Sequence, residues 1–301
     1  MNTYADVPQQ RQGEFLLVLT ALLFGSFGLF AKVLGEYMNP SVITFAVCLL
    51  QFIGFGIWMA LKKIPFTVSG HAIYRVLFFS VINLLPLFFF TSAIHYMGIG
   101  AVLLVQNTVT LFVSLLIEYI ATKKASPIQV SLMIIALAAL AIIYLPFEIA
   151  SMFGVLFACG VGTANALANK FRRELGAEVQ PEKLSFYSTA LGAVIWGAIV
   201  LFSYTGTAYI GDISERSALL LTLYAVLNIA TTFLLNKGFA NVPLTLGNTL
   251  LLLEIVVGYG LGALVFHEQY GMYQIAGSII LFAAIFSIKI LPSSRGSYTR
   301  T

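Results

Sequence analysis

No Asp, Glu, Lys or Arg occurs between Arg75 and Glu118, and none between Lys124 and Glu148. Uncharged runs of that length exceed what a barrel strand of about 10 residues needs, and they suit helical crossings of roughly 20 apolar residues. Only helices and closed barrels satisfy every backbone group inside lipid. The chain is therefore read as an all-α polytopic membrane protein. Composition agrees, with 59% of the 301 residues hydrophobic and 9% charged, against roughly 25% charged in soluble domains. Mean hydropathy is +0.95. A soluble enzyme, a secreted disulfide scaffold and a disordered chain are excluded on these grounds.

The net charge of +4 reflects topology rather than nucleic-acid binding, because basic residues gather in cytoplasmic loops. Cys48 and Cys159 lie in separate apolar stretches, which predicts buried small residues and neither a disulfide nor a metal site. The polar N-terminus lacks a cleavable signal pattern.

A 20-residue window finds ten segments, at about 15–34, 41–61, 74–96, 100–121, 128–147, 152–171, 184–204, 218–237, 243–266 and 272–291. Most of the nine prolines fall at segment ends or in the tail. Pro86 alone is central, which predicts a kink or break in the third helix. With the N-terminus inside, 14 of the 16 basic residues fall on the cytoplasmic side and only Lys32 and Arg216 outside. That split supports ten spans, both termini cytoplasmic, in a cell (inner) membrane. The expected organisation is a tail over 1–14, a first five-helix unit over 15–147, a second over 152–291 and a tail over 292–301.

Five helices is an odd number, so the second unit would enter the membrane inverted relative to the first. Weak internal repeats fit that layout. Gly25, Gly28 and Lys32 in the first span match Gly162, Asn165 and Asn169 in the sixth, while Gly100 and Asn107 in the fourth match Gly247 and Glu254 in the ninth.

These features resemble the EamA-type members of the drug/metabolite transporter superfamily. The resemblance rests on Ala21-Leu22-Leu23-Phe24-Gly25-Ser26-Phe27-Gly28-Leu29-Phe30-Ala31-Lys32, with Phe24 where the family has Trp. It also rests on the stretch from Leu250 to Glu268, which carries Glu254 and Glu268, and on Gly277-Ser278-Ile279-Ile280. Val47-Cys48 and Ala121 depart from an arginine and a glutamate common in the family. The resemblance implies ten transmembrane helices as two inverted five-helix repeats. It further implies transport of amino acids or related metabolites, most simply export.

A charge at mid-membrane costs about 2.5–3.5 kcal/mol on insertion scales, so it is rare unless used. Glu254 lies near the middle of its span, on a stripe with Gly247, Leu251, Gly258 and Gly262. It is the first candidate for substrate binding and for carrying a coupling proton; the bland alternative is a carboxyl hydrogen-bonded to a neighbouring helix. Asn107 and Gln106 of the fourth span, Asn83 of the third, Asn165 of the sixth, and Tyr224, Asn228 and Thr231 of the eighth complete the candidate substrate-binding set. Such residues also serve as ordinary interhelical contacts. Spans 1, 3, 4, 6, 8 and 9 are the polar ones, while 2, 7 and 10 read as periphery. Lys32, Lys170, Glu118 and Lys289 read as side chains reaching the interface. Tyr96, Tyr144 and Trp58 suit interfacial belts.

No GxSxG, P-loop or aspartate pair occurs, and His267-Glu268-Gln269-Tyr270-Gly271 lacks the second histidine of a zincin motif. The expectation is therefore no catalytic residues, no cofactor and no metal. What remains is secondary transport of a small solute by alternating access in the lipid bilayer. Protons are a candidate coupling ion, and the oligomeric state is monomer or homodimer. Proton-coupled efflux of organic cations is the alternative within transport. A non-transporting receptor or scaffold is the alternative outside it, disfavoured because no loop exceeds about a dozen residues.

Overall fold

The computed structural model describes residues 7–97, 99–122, 131, 134–135, 138–139, 142, 152–203, 214–266, 271–273, 275–277, 279–280 and 283. Among the described residues the regular structure is helical, with no strand. The helices are α1 (Val7–Phe24), α2 (Phe27–Gly35), α3 (Pro40–Leu61), α4 (Gly70–Tyr96) and α5 (Ile99–Thr122). After them come α6 (Met152–Leu175), α7 (Pro181–Ser203), α8 (Glu215–Phe239), α9 (Leu244–Leu251) and α10 (Leu253–Phe266). Six described helices, counting α1 and α2 as one span over Pro8–Gly35, are long and apolar enough to cross a membrane. Val105–Ala121 and Leu244–Gly258 are shorter apolar helical stretches. The predicted fifth and tenth spans lie largely outside the described residues, as do Tyr144 and Lys289.

Helix ends follow local chemistry. Asn39 caps α3 by accepting from the Ser41 N–H at 3.1 Å, with Pro40 in the first turn. Ser214 caps α8 by accepting from the Ser217 N–H at 3.2 Å. Lys63 leaves α3 with a left-handed φ of 54°.

The break expected at Pro86 is absent: α4 runs unbroken from Gly70 to Tyr96. Proline removes one N–H and so frees the carbonyl of Ile82 from its usual partner, but dense packing against α6 and α7 holds the helix together. The interruptions fall elsewhere. At Gly25-Ser26, the Ser26 N–H bonds back only three residues to Leu23 O at 3.1 Å, and the Ser26 hydroxyl covers the same carbonyl at 2.7 Å. At Leu252, the N–H bonds Thr249 O at 3.2 Å, again three residues back. Such tightening locally replaces α- with 3₁₀-type pairing.

The two interruptions meet. A Cβ placed on Gly25 would stand 2.5 Å from Val257 Cβ and 3.0 Å from the carbonyl oxygen of Glu254. Gly162, its repeat partner, makes a comparable approach on α6: a Cβ there would stand 2.5 Å from the Gln106 carbonyl oxygen. Only glycine permits either crossing. The packing partners repeat in the same sense. The first span packs on α8 and on α9–α10, as α6 packs on α4 and on α5, while α3 packs on α7.

Leu17, Leu34, Tyr224 and Phe239 anchor the main buried cluster, and Val76, Phe79, Leu175 and Leu184 a second one. Large apolar side chains such as Leu61, Phe153 and Phe202 are exposed on the outside. An apolar exterior of that kind suits contact with lipid. Trp58 and Tyr96 are about half exposed, as an interfacial belt requires.

Candidate functional site

A cavity of about 140 Å³ lies between the helices. That is close to the roughly 150 Å³ of a cavity known to hold benzene, so it suits a solute of that size. Its wall draws on α1, on α2 through Phe27, on α3 to α8, and on α10 through Glu254. The polar wall includes Gln51, Asn83, Gln106, Asn165, Arg172, Asn228, Thr231 and Glu254, and Phe24, Phe27 and Phe90 provide aromatic surface.

Glu254 is buried in the first turn of α10, where the helix dipole favours a carboxylate. Its Oε1 accepts from Asn107 Nδ2 at 2.9 Å and Gln106 Nε2 at 3.3 Å. No basic nitrogen lies within 4.0 Å of it among the described residues. Asn107 also donates to Leu103 O at 2.9 Å, so its amide is held on its own helix while it positions the carboxylate. Gln106 Oε1 has no hydrogen-bond partner among the described residues.

The candidate residues divide by position. Glu254, Gln106, Asn83, Asn165, Asn228 and Thr231 line the cavity; Asn107 and Tyr224 do not. Asn107 stands behind Glu254. Tyr224 is fully buried behind Phe27, whose ring meets it edge-on at 5.1 Å, and stacks on Phe30 at 5.5 Å. Asn228 donates its Nδ2 to Tyr224 O at 2.9 Å, and Thr231 its hydroxyl to Leu227 O at 2.9 Å. Both are partly committed to their own helix.

Two sequence readings change here. Spans 2 and 7 are not periphery: Cys48 and Gln51 of α3 and Ser188 and Thr189 of α7 face the cavity. A helix needs only one inward stripe to do so, and a count of polar residues along its whole length hides that stripe. Glu118 does not simply reach for the interface either. Its carboxylate accepts from the N–H of Thr245 at 3.2 Å and from the Thr245 hydroxyl, and lies 3.6 Å from Arg173 Nη1. It thus holds the first turn of α9.

Arg172 is the residue that sequence reasoning missed. In the sequence it belongs to the Lys170-Phe171-Arg172-Arg173 run and reads as a topology marker. In the fold it is only 4% exposed and lines the cavity. Its Nε donates to Asn236 Oδ1 at 2.8 Å, Nη1 to Asn169 Oδ1 at 2.6 Å, and Nη2 to Asn83 Oδ1. Phe79 covers one side, its ring centroid 5.4 Å from the guanidinium carbon.

A polar seam joins the two charges. Asn169 Nδ2 donates to Asn248 Oδ1 at 2.6 Å, Asn248 Nδ2 to Ser114 Oγ at 2.7 Å, and Ser114 Oγ to Thr110 O at 2.6 Å. Thr110 Oγ1 then donates to Gln106 O at 2.8 Å and to Gly162 O at 3.1 Å. Gln106 completes the path to Glu254.

A helical bundle of membrane-spanning length with an internal cavity walled by polar and charged side chains has the build of a solute carrier. The chain belongs to the EamA-like transporter family, whose description matches residues 11–145 and again 152–290. It is thus a multi-pass membrane protein of a transporter family within the drug/metabolite superfamily. It is also similar to a protein of known crystal structure at 12% identity, with 93% of this chain and 98% of that one covered and a TM-score of 0.76. At that identity the likeness concerns fold alone. No curated protein sequence matches the chain.

Proposed function

We propose that this protein is a secondary transporter that moves small organic solutes, amino acids or related metabolites, across the inner membrane by alternating access. Export is the direction that the family resemblance favours, and the proposed topology is ten helices in two inverted five-helix units with both termini cytoplasmic. The observation that carries the reading is Glu254, a buried carboxylate held by neutral amides in the wall of a cavity shared by both halves of the chain. Its neighbourhood is where the interruptions of the first and ninth spans meet, and discontinuous helices commonly form midplane sites in transporters. The reciprocal packing of the two halves supports rocking of one against the other around this point.

In this reading the solute's ammonium group, or a proton, takes the place of an amide at Glu254, and the amides return when it leaves. Gln106, Asn83, Asn165, Asn228 and Thr231 hydrogen-bond the solute. Asn107 keeps the carboxylate in place. Efflux of organic cations shares the Glu254 step and the aromatic wall, but the positive charge of Arg172 in the same cavity weighs against a purely cationic cargo.

The test is counterflow of a panel of radiolabelled amino acids in proteoliposomes. Glu254→Gln is expected to reduce flux by about tenfold or more, the scale of a lost charge-assisted hydrogen bond. Glu268→Gln is expected to stay near wild type. Equal, wild-type-like flux in both variants would remove Glu254 from the mechanism.

A further inference from the structure

We infer that Arg172 forms a second charged recognition point in the cavity, a site for the carboxylate of the solute. The inference rests on the transport reading above and extends it to an anion-binding residue at the other end of the polar seam.

A guanidinium has five N–H donors. Three are engaged here, all by neutral amide oxygens, so two remain without a partner among the described residues. The amides meet three of the donors but bring no compensating charge. Leaving a buried cation without a counter-charge is costly, and buried charges are ordinarily paired. The carboxylates near this end of α6 are committed elsewhere. Glu118 is held by Arg173 and Thr245, Glu178 by Arg75 at 2.8 Å, and Glu174 by Lys170 at 3.7 Å and Arg75 at 3.8 Å. No carboxylate lies within 4.0 Å of Arg172 among the described residues. Its charge faces the cavity instead.

The surroundings are built to orient a fork. Asn236 is itself fixed by donating to Ser185 Oγ at 2.8 Å, and Asn169 by donating to Asn248. Three helices, α4, α6 and α8, therefore hold one guanidinium in a single pose. A planar, pre-oriented fork is suited to a carboxylate, which accepts two parallel N–H bonds. Asn169 pairs with Asn248, six positions before Glu254, and Arg172 is one further turn down α6. Arg172 and Glu254 thus stand at different levels of the same cavity.

Matched ligand pairs test this directly. The full chain in lipid nanodiscs is titrated with each of a panel of L-amino acids and with the corresponding amino-acid amide, which keeps the ammonium and side chain but has no carboxylate. For at least one pair the acid is expected to bind about tenfold or more tightly than its amide, the scale of a charge-assisted contact. In Arg172→Gln that ratio should fall to near one. In Glu254→Gln both members should weaken and the ratio should persist. Should Arg172→Gln fail to yield monodisperse protein, Arg172→Lys reads the same ratio. There it should fall several-fold, because lysine keeps the charge without the fork.

Acid and amide binding equally in every wild-type pair would overturn the Arg172 site while leaving transport intact. A preference for the acid that survives in the Arg172 variants would overturn it too. Binding of no compound at all would instead overturn the transport reading, and this one with it.

Discussion

The two buried charges among the described residues sit in similar surroundings and come about in different ways. Glu254 is held by Asn107 and Gln106, and Arg172 by Asn83, Asn169 and Asn236. In both places neutral carboxamides meet part of the hydrogen-bonding needs of an ion without neutralising it. The difference is in how each level is built. Around Glu254, backbones nearly touch at Gly25 and Gly162. Around Arg172 three amide side chains from α4, α6 and α8 converge on one guanidinium, with a further glycine approach of Gly176 to Ala240 one turn beyond. Glycine crossings thus mark the level of Glu254, and converging amides that of Arg172. A charge that is solvated but not paired stays available to a ligand.

The largest expected effect breaks the glycine level. Gly162→Leu would drive a side chain into the Gln106 carbonyl and Val109. We expect a loss of about 3 kcal/mol or more, read as a fall in melting temperature of the purified protein or as loss of monodisperse material. A wild-type melting temperature would mean that the crossing can open freely. Next is the amide level. Asn236→Leu removes the acceptor of Arg172 Nε and the donor to Ser185 together, at an expected cost of about 2–3 kcal/mol. Asn107→Leu should cost less, about 1–2 kcal/mol, because Gln106 still reaches Glu254. If Asn107→Leu proves the more damaging, the carboxylate is the more dependent of the two charges and the comparison reverses.

The smallest effect comes from a third ion site that sharpens the contrast by exposure. Arg75 Nη1 meets both carboxylate oxygens of Glu178, at 2.8 and 2.9 Å, with the two side chains 40% and 50% exposed. Arg75→Gln should change stability by about 0.5 kcal/mol or less, and high salt should erase even that. Arg75 has the carboxylate partner that Arg172 lacks among the described residues, yet water screens most of its charge.

Arg172 and Arg173 show why part of the site escaped sequence reasoning. They are neighbours in one basic run at a helix end, and positional statistics treat them alike. One residue is a 100° rotation on a helix. That turn places Arg173 outward against Glu118, with its side chain 41% exposed, and Arg172 inward at 4%. Glu254 was different: thirteen uncharged residues follow it and many precede it, so no interfacial explanation was available. At Pro86 the helix does not break, because a proline marks a weakness that neighbouring helices can override. The breaks occurred at Gly25-Ser26 and Leu252, where no proline stands.

The sequence by itself determined that the chain is a helical membrane protein, roughly where the six long spans among the described residues lie, and that Glu254 is out of place for an interfacial charge. Those conclusions depend on local quantities: apolar length, charge spacing and the cost of a charge in hydrocarbon. Tertiary structure alone decided which residues share a wall. It turned Tyr224 away from the cavity, brought Gln51 and Ser188 into it, and put Arg172 at the far end of a seam from Glu254. Those outcomes depend on helix rotation and on contacts between residues far apart in the chain, which spacing along one helix does not encode.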